Sequence, residues 1–172
     1  MVVPYRERTS GQSGGSAGYL CFREGDGGKS LLGALFIVNE LGEPIDFCYS
    51  RIDVPASFLW RAGEARRTAS RSLTIALFNA APGSLDVIVS TPGDVPATVL
   101  TEDLEIDVPV CHLALERGGN EDDLVHTTWL NGQPADDTPA RQVLQSLFAR
   151  KLALEPFSRA EQALHEVATT SA

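Results

Sequence analysis

The chain is poor in cysteine and histidine, which bounds the chemistry that it can support. It has three of each in 172 residues, and no two cysteines stand in a C-x-x-C pair. An odd cysteine count without paired spacing argues against a disulfide framework and against a structural zinc site. A chain without a disulfide framework suits a reducing compartment, so the expected location is the cytoplasm. We predict no cofactor and no metal site.

Long apolar runs are also absent. No stretch approaches the roughly 20 residues that a membrane helix requires. Residues 1–10 lack the charged-then-apolar order of a signal peptide. The sequence therefore predicts neither a membrane span nor a membrane partner.

Positive charge is scarce in the second half of the chain. Residues 1–80 carry nine Lys or Arg against eight Asp or Glu, residues 81–172 carry five against fifteen, and the net charge is −9. A surface of that sign repels phosphate, which disfavours non-specific binding of nucleic acid by the whole domain. A local basic site in the first half remains open.

The most informative pattern present is the segment 31–50, LLGALFIVNELGEPIDFCYS. Two β-prone apolar runs flank a polar turn in which Gly42 can adopt a positive φ and Pro44 can only begin a strand or sit on an edge, so we predict a β-hairpin. A short strand at 19–23 precedes the hairpin and would complete a meander. Residues 10–18 form a Gly/Ser tract, and we expect a flexible leader over 1–18.

The rest of the chain alternates strand and helix patterns. Small apolar residues recur at three- and four-residue spacings over 55–79, which predicts a helix packed closely on the sheet. Strands are predicted at 85–90, 108–115 and 124–130, and a short helix at 94–104 would join the first two.

Two helices, at about 139–154 and 159–169, are predicted to end the chain. Thr138 is expected to cap the first, and Ser158 with Glu161 forms a capping box for the second. The predicted fold class is α/β, a single domain over residues 19–172. It has a mixed, mostly antiparallel five- or six-stranded sheet, one helix packed on it and two C-terminal helices.

Two partial motifs are candidates for a ligand-binding or catalytic site. Residues 25–30, GDGGKS, end like a phosphate-binding loop, but Arg23 stands where that motif needs glycine and a strand follows, so we expect a plain turn. Cys111 and His112 are neighbours in a predicted strand and point to opposite faces, so a thiol nucleophile would need a distant histidine such as His126 or His165. A buried structural cysteine is the favoured interpretation.

The carboxylates show no ligand pattern. Asp94 closes the turn Thr91-Pro-Gly-Asp after a strand, where α/β folds bind ligands, but we expect it to cap the following helix. The acidic pairs at 122–123 and 136–137, and the stretch 102–107, lack the spacing of a metal-binding loop. We expect them to be solvated or to cap helices.

A candidate partner surface lies on the helix predicted at 55–79. Trp and Arg are the residues that most often anchor interfaces, and four residues here recur at i, i+4, i+7 and i+11. The alternative is that the Trp packs within the chain and the arginines pair with neighbouring acids. The predicted partner-binding residues are Trp60, Glu64, Arg67 and Arg71, extended by Arg61 and Arg66.

No motif matches a family signature closely enough to supply a function. We therefore interpret the chain as a non-catalytic accessory or adaptor subunit of a cytoplasmic multiprotein complex, binding a protein partner through this surface. Two alternatives stay open: a thiol-dependent hydrolase or transferase that uses Cys111, and a nucleic-acid-binding module that uses the arginine face of residues 61–71. The sequence does not indicate the oligomeric state.

Overall fold

The computed structural model describes residues 14–61, 63–81, 83–104, 106–116 and 124–170. In these ranges the chain forms one α/β domain with a six-stranded mixed sheet in the order β3-β2-β1-β4-β5-β6. The strands are β1 (Ser16–Gly25), β2 (Ser30–Asn39), β3 (Pro44–Asp53), β4 (Val87–Ser90), β5 (Val110–Glu116) and β6 (Leu124–Trp129). The helices are α1 (Glu64–Ala80), α2 (Pro139–Ala149) and α3 (Glu155–Thr170). The predicted fold class is confirmed.

The meander of β1, β2 and β3 is closed by a tight turn at residues 39–43. The side-chain oxygen of Asn39 accepts hydrogen bonds from the backbone N–H groups of Leu41 and Glu43, each at 2.9 Å. Gly42 adopts φ 78°, a left-handed conformation that glycine adopts without steric cost. β1 pairs with β2, and β2 with β3, in antiparallel register, so the predicted hairpin is present.

Four strands end at the same side of the sheet. β4 is parallel to both β1 and β5, and β3 shares their direction because two antiparallel pairings separate it from β1. We call this side, where β1, β3, β4 and β5 end, the carboxyl edge. The loops that follow these strands, including the one that leads into α1, therefore start at this edge.

The core has three layers with β1 at the centre. Tyr19 and Cys21 belong to the cluster packed by α2 and α3, whereas Leu20 and Phe22 belong to the cluster packed by α1. This alternation follows from the two-residue period of a strand. The hydroxyl of Tyr19 donates a hydrogen bond to the carbonyl of Ala153 at 2.9 Å, which fixes the chain leading into α3.

The apolar stripe of α2 is covered by the domain itself. Its members join the cluster on the α2 and α3 face of the sheet, where they pack with Tyr19 and Phe157. They are Val143, Leu144, Leu147 and Phe148.

α1 approaches β2 closely because small residues line the contact. Ala65 and Ala69 are buried on α1, and Gly33 on β2 has no side chain. A Cβ at Gly33 would lie 2.8 Å from Cδ2 of Leu73 and 2.9 Å from the ring of Phe22. Leu73 is fully buried and close-packed, so it has little room to give way.

The predicted start of the helix over 55–79 was wrong. α1 begins at Glu64, because Gly63 has φ 83° and interrupts helical geometry, and the preceding residues form a 3-10 turn, Ser57–Leu59. Trp60 lies in the loop before α1. The helical register that was predicted to join Trp60 to Glu64 and Arg67 is therefore also wrong.

The helix predicted over 94–104 is reduced to a short helical segment over 97–103, most of it π-helical. The chain turns at residues 92–94 and then forms a single π-helical turn, Val99–Asp103, which we call the acidic turn. Its first residues, Val99 and Leu100, are buried, whereas Thr101 and Glu102 are exposed. Asp94 consequently does not cap a regular α-helix.

The C-terminal helices show one predicted cap and lack the other. The backbone N–H of Arg141 donates to Oγ1 of Thr138 at 3.5 Å, so Thr138 caps α2 as predicted. α3 begins at Glu155, and Pro156 occupies its first turn, where the missing N–H is tolerated. Ser158 therefore lies inside the helix, and the capping box predicted there does not mark its start.

Two predicted segments fall wholly or partly outside the described residues. Residues 1–13 of the predicted leader are not described, and Ser16 already belongs to β1. The charged loop 117–123, with the acidic pair at 122–123, is likewise outside the described ranges. Across those ranges we find no helix with the length and apolar character that crossing a bilayer requires.

Gly33→Ala should lower the free energy of unfolding by about 1–3 kcal/mol, because the added methyl overpacks the contact between α1 and β2. Urea unfolding followed by circular dichroism measures this change. Gly93→Ala is the matched control, since a Cβ there meets nothing within 4 Å. Equal stabilities for the two variants would contradict the close approach of α1.

Candidate site at the carboxyl edge of the sheet

The sheet has a topological switch point between β1 and β4. The chain leaves β1 toward β2 on one side and leaves β4 toward β5 on the other. In open α/β sheets, ligands bind in the crevice outside the carboxyl ends of the strands at such a point. The side chains around the ends of β1 and β4 are therefore the first candidates for a functional site.

Asp94 is the carboxylate placed at this switch point. It is half-buried, and its pKa is raised mainly by burial and further by the negative charge of Glu161 on α3. Hydrogen bonds from the Thr91 hydroxyl and from the backbone N–H of Phe22 on β1 oppose that rise. The hydrogen bond from Phe22 joins Asp94, which follows β4, to β1, and the raised pKa makes Asp94 a candidate acid–base group.

Cys111 and Cys21 are poorly placed to act as nucleophiles. Burial raises the pKa of the Cys111 thiol to about 12, and the residue is 0% exposed. Cys21 is also buried, and its pKa is raised well above the usual range by burial and by the charges of Asp94 and Glu161. The alternative that relied on Cys111 as a nucleophile therefore lacks an accessible thiolate.

Ser90 and His112 are two buried polar residues on adjacent strands. They are directly paired in the parallel ladder of β4 and β5, and they lie on the α1 face with Ile88 and Val110. Among the described residues, neither Oγ of Ser90 nor Nε2 of His112 has a hydrogen-bond partner. Burial lowers the pKa of His112 from its ordinary value of 6.5, so the ring favours the neutral form.

An exposed apolar segment follows β3 at the carboxyl edge. Phe58 is 84% exposed, Leu59 74% and Trp60 40%. We call these three residues the aromatic loop. Arg61 comes directly after them and is also exposed. The backbone N–H of Val54 donates to the carbonyl of Lys29 at 2.8 Å, which ties the start of this connection to the turn between β1 and β2.

The predicted arginines bear intramolecular ion pairs. Arg67 donates from Nε and Nη2 to the Asp103 carboxylate at 2.7 and 2.6 Å, and from Nη2 to Glu102 at 3.2 Å. Nε of Arg71 donates to the carbonyl of Asp103 at 3.3 Å. Arg66 pairs with Glu24 near the end of β1. The pairing of arginines with acids, considered from the sequence as the alternative, is thus present.

Of the six predicted surface residues, the structure places four on the first two turns of α1. Glu64, Arg66 and Arg67 begin that helix, and Arg71 follows one turn later. Trp60 and Arg61 lie ahead of it in the connection from β3. All six residues are exposed, and this connection together with the first turns of α1 starts from the carboxyl edge.

The acidic groups do not combine into a metal centre in the described part of the chain. No three His, Cys, Asp or Glu side chains there come together in a way that could hold a metal ion. Asp136, in the loop before α2, instead pairs with Arg141 of that helix at 2.8 Å. Sequence reasoning named Asp94 but missed its contact with β1, which only the pairing of β1 with β4 creates.

Comparison with known proteins gives a likeness of fold. No family model and no curated protein matches the chain. Among solved structures, it is similar to endonuclease V from Bacillus subtilis, with a TM-score of 0.55 and 12% identity over 91% of this chain and 81% of that chain. Endonuclease V from Streptomyces avermitilis is similar too, with a TM-score of 0.52 and 12% identity over 90% of this chain and 83% of that one.

These similarities identify the architecture as an α/β fold shared with endonuclease V structures. They also overturn the prediction of a non-catalytic adaptor subunit, because both similar structures are of enzymes named for acting on nucleic acid. The adaptor interpretation rested on the Trp60 and Arg67 surface as one free helical face. Trp60 lies outside the helix and Arg67 is already paired with carboxylates.

His112 should make stability depend on pH. The folded-state pKa of His112 lies below 6.5. As the pH falls through that value, the unfolded chain therefore binds more protons than the folded chain. The free energy of unfolding should then decrease. Chemical unfolding at several pH values between about 7.5 and 5 measures the slope. His112→Gln should flatten it. An unchanged slope in the His112 variant would contradict the burial of a neutral ring.

Proposed function

We propose that the chain binds nucleic acid at the carboxyl edge of its sheet, with unpaired bases against the aromatic loop and phosphates against the arginines at the start of α1. The observation that carries this proposal is the exposure of Phe58 and Trp60 directly beside Arg61, at the edge where open α/β sheets bind ligands. The likeness of the fold to two endonuclease V structures supports it.

The aromatic loop has the properties of a stacking platform. An exposed aromatic ring offers a π face to any base, and such stacking contributes about 1–3 kcal/mol per base in single-stranded complexes. Bases inside a duplex are already stacked, so this platform favours a single strand or a locally opened segment. The preference for unpaired bases follows from Phe58 and Trp60 rather than from the arginines.

The charge distribution along the chain favours binding by residues of its first half. The excess of acidic residues lies in the second half of the chain, whereas the aromatic loop and the α1 arginines belong to the nearly neutral first half. The net negative charge of the domain repels phosphates, which are accepted only beside its arginines, so the affinity should be modest and steeply dependent on salt. Arg61, Arg66, Arg67 and Arg71 are the proposed phosphate contacts, and Trp60 is a proposed base contact.

Hydrolysis of a phosphodiester is a second candidate function, and Asp94 is the observation that favours it. A half-buried carboxylate with a raised pKa at the switch point, beside a second carboxylate, is suited to general acid–base work. A labelled single strand incubated with the protein, in parallel with Mg²⁺ and with a chelator, tests for cleavage. Asp94→Asn should remove cleavage and keep binding; cleavage that survives this change would exclude Asp94 from the reaction.

Binding should be tested by titrating the protein into a short fluorescent single-stranded DNA or RNA at several salt concentrations. With the four proposed phosphate contacts, the slope of log K against log salt should be about −3. Phe58→Ala with Trp60→Ala should weaken binding by about tenfold or more through lost stacking. A slope near zero would contradict the proposal.

The control for the aromatic loop is Tyr49→Ala. Tyr49 is 39% exposed, almost equal to Trp60 at 40%, but it lies on β3, on the α2 and α3 face with its cross-strand partner Ala34. Its loss should leave the affinity unchanged. If the Tyr49 variant loses as much affinity as the aromatic-loop variant, the binding site is not at the aromatic loop.

A further inference from the structure

The acidic turn is attached to α1 through the arginines proposed to bind phosphate. Arg67 makes a two-pronged contact with the Asp103 carboxylate, at 2.7 and 2.6 Å, and reaches Glu102 at 3.2 Å. Arg71 donates to the backbone carbonyl of Asp103 at 3.3 Å. One side chain of α1 is thus engaged by two carboxylates from the loop after β4.

This contact has the form of an arginine bound to an oxyanion. The guanidinium fork presents two parallel N–H groups, and carboxylate and phosphate oxygens fit it in the same way. Arg67, Thr68, Arg71, Glu102 and Asp103 together line an open cleft of about 400 Å³. The Asp103 carboxylate therefore occupies the place in this cleft where a phosphate would bind Arg67.

A phosphate can replace the two carboxylates on Arg67 at a small cost in free energy. The Arg67 and Glu102 side chains are largely exposed and the Asp103 side chain is partly exposed, so water can solvate all three groups when the contact opens. The turn itself is anchored elsewhere, because Val99 and Leu100 are buried in the α1 cluster. Glu102 and Asp103 can leave the arginines while these two residues keep the loop in place.

We propose that Glu102 and Asp103 are an internal competitor of the nucleic acid: they occupy Arg67 and Arg71 in the free protein, and a phosphate of the bound strand displaces them. This inference rests on the proposed function, because it concerns the regulation of the same surface. The acidic turn then lowers the affinity of the surface for phosphate, and it suppresses association with weakly bound polyanions.

The test compares three proteins with the same fluorescent single-stranded DNA: wild type, the double variant Glu102→Gln with Asp103→Asn, and the double variant Asp136→Asn with Asp137→Asn. The two variants remove equal charge. Asp136 lies in the loop before α2 and, like Asp103, pairs with an arginine, here Arg141 of α2. Circular dichroism and thermal unfolding establish that both variants are folded.

The acidic-turn variant should bind about tenfold more tightly than its charge-matched control. Its salt slope should stay close to that of wild type, because Arg67 and Arg71 contact phosphate in both complexes. Equal gains in both variants would show a general charge effect and overturn the inference, while the proposed function stands. Binding by wild type with no gain in the acidic-turn variant would overturn it in the same way.

The remaining outcomes are also decisive. Binding that appears only when the acidic turn is neutralised would support the competitor role most strongly. Absence of binding by all three proteins would overturn both the inference and the proposed function.

Discussion

The structure depends on the burial of β1 on both of its faces and along both of its edges. Tyr19 and Cys21 fill one face and Leu20 and Phe22 the other, while β2 and β4 pair with its two sides. A strand with no solvent-facing side requires helices above and below it, which α1 on one side and α2 with α3 on the other supply. Because β4 is parallel to β1 and β2 is antiparallel, the same strand also creates the switch point at the carboxyl edge.

Local signals in the sequence predicted the elements that local interactions determine. The turn at Gly42 and the Thr138 cap each need only a few neighbouring residues, and both are present. The start of α1 was missed because the apolar spacing continues through Gly63, where the backbone leaves helical geometry. The contact of Asp94 with the end of β1 was missed because it depends on the pairing of β1 with β4, which no local pattern encodes.

The candidate nucleic-acid surface is formed by a loop and a helix, where the sequence predicted a single helical face. Trp60 and the arginines were predicted as one helical face, yet Trp60 belongs to an exposed loop and Arg67 is held by the acidic turn. An acidic protein can bind a polyanion only where its basic groups are concentrated and its own carboxylates can be displaced. The distribution of charge in this fold, with the paired arginines at the carboxyl edge, is consistent with that requirement. The likeness to endonuclease V structures is one of fold, and the proposed role of this surface rests on its exposed rings and its arginines.

The central claim is the position of the nucleic acid on the domain, and cross-linking tests it most directly. A single strand that carries photoreactive bases is irradiated with the protein, and the attached peptide is identified by mass spectrometry. The account predicts attachment within the aromatic loop and the first turns of α1, centred on Phe58 and Trp60. Attachment confined to the outer surface of α2 or α3, or no specific attachment, would contradict it.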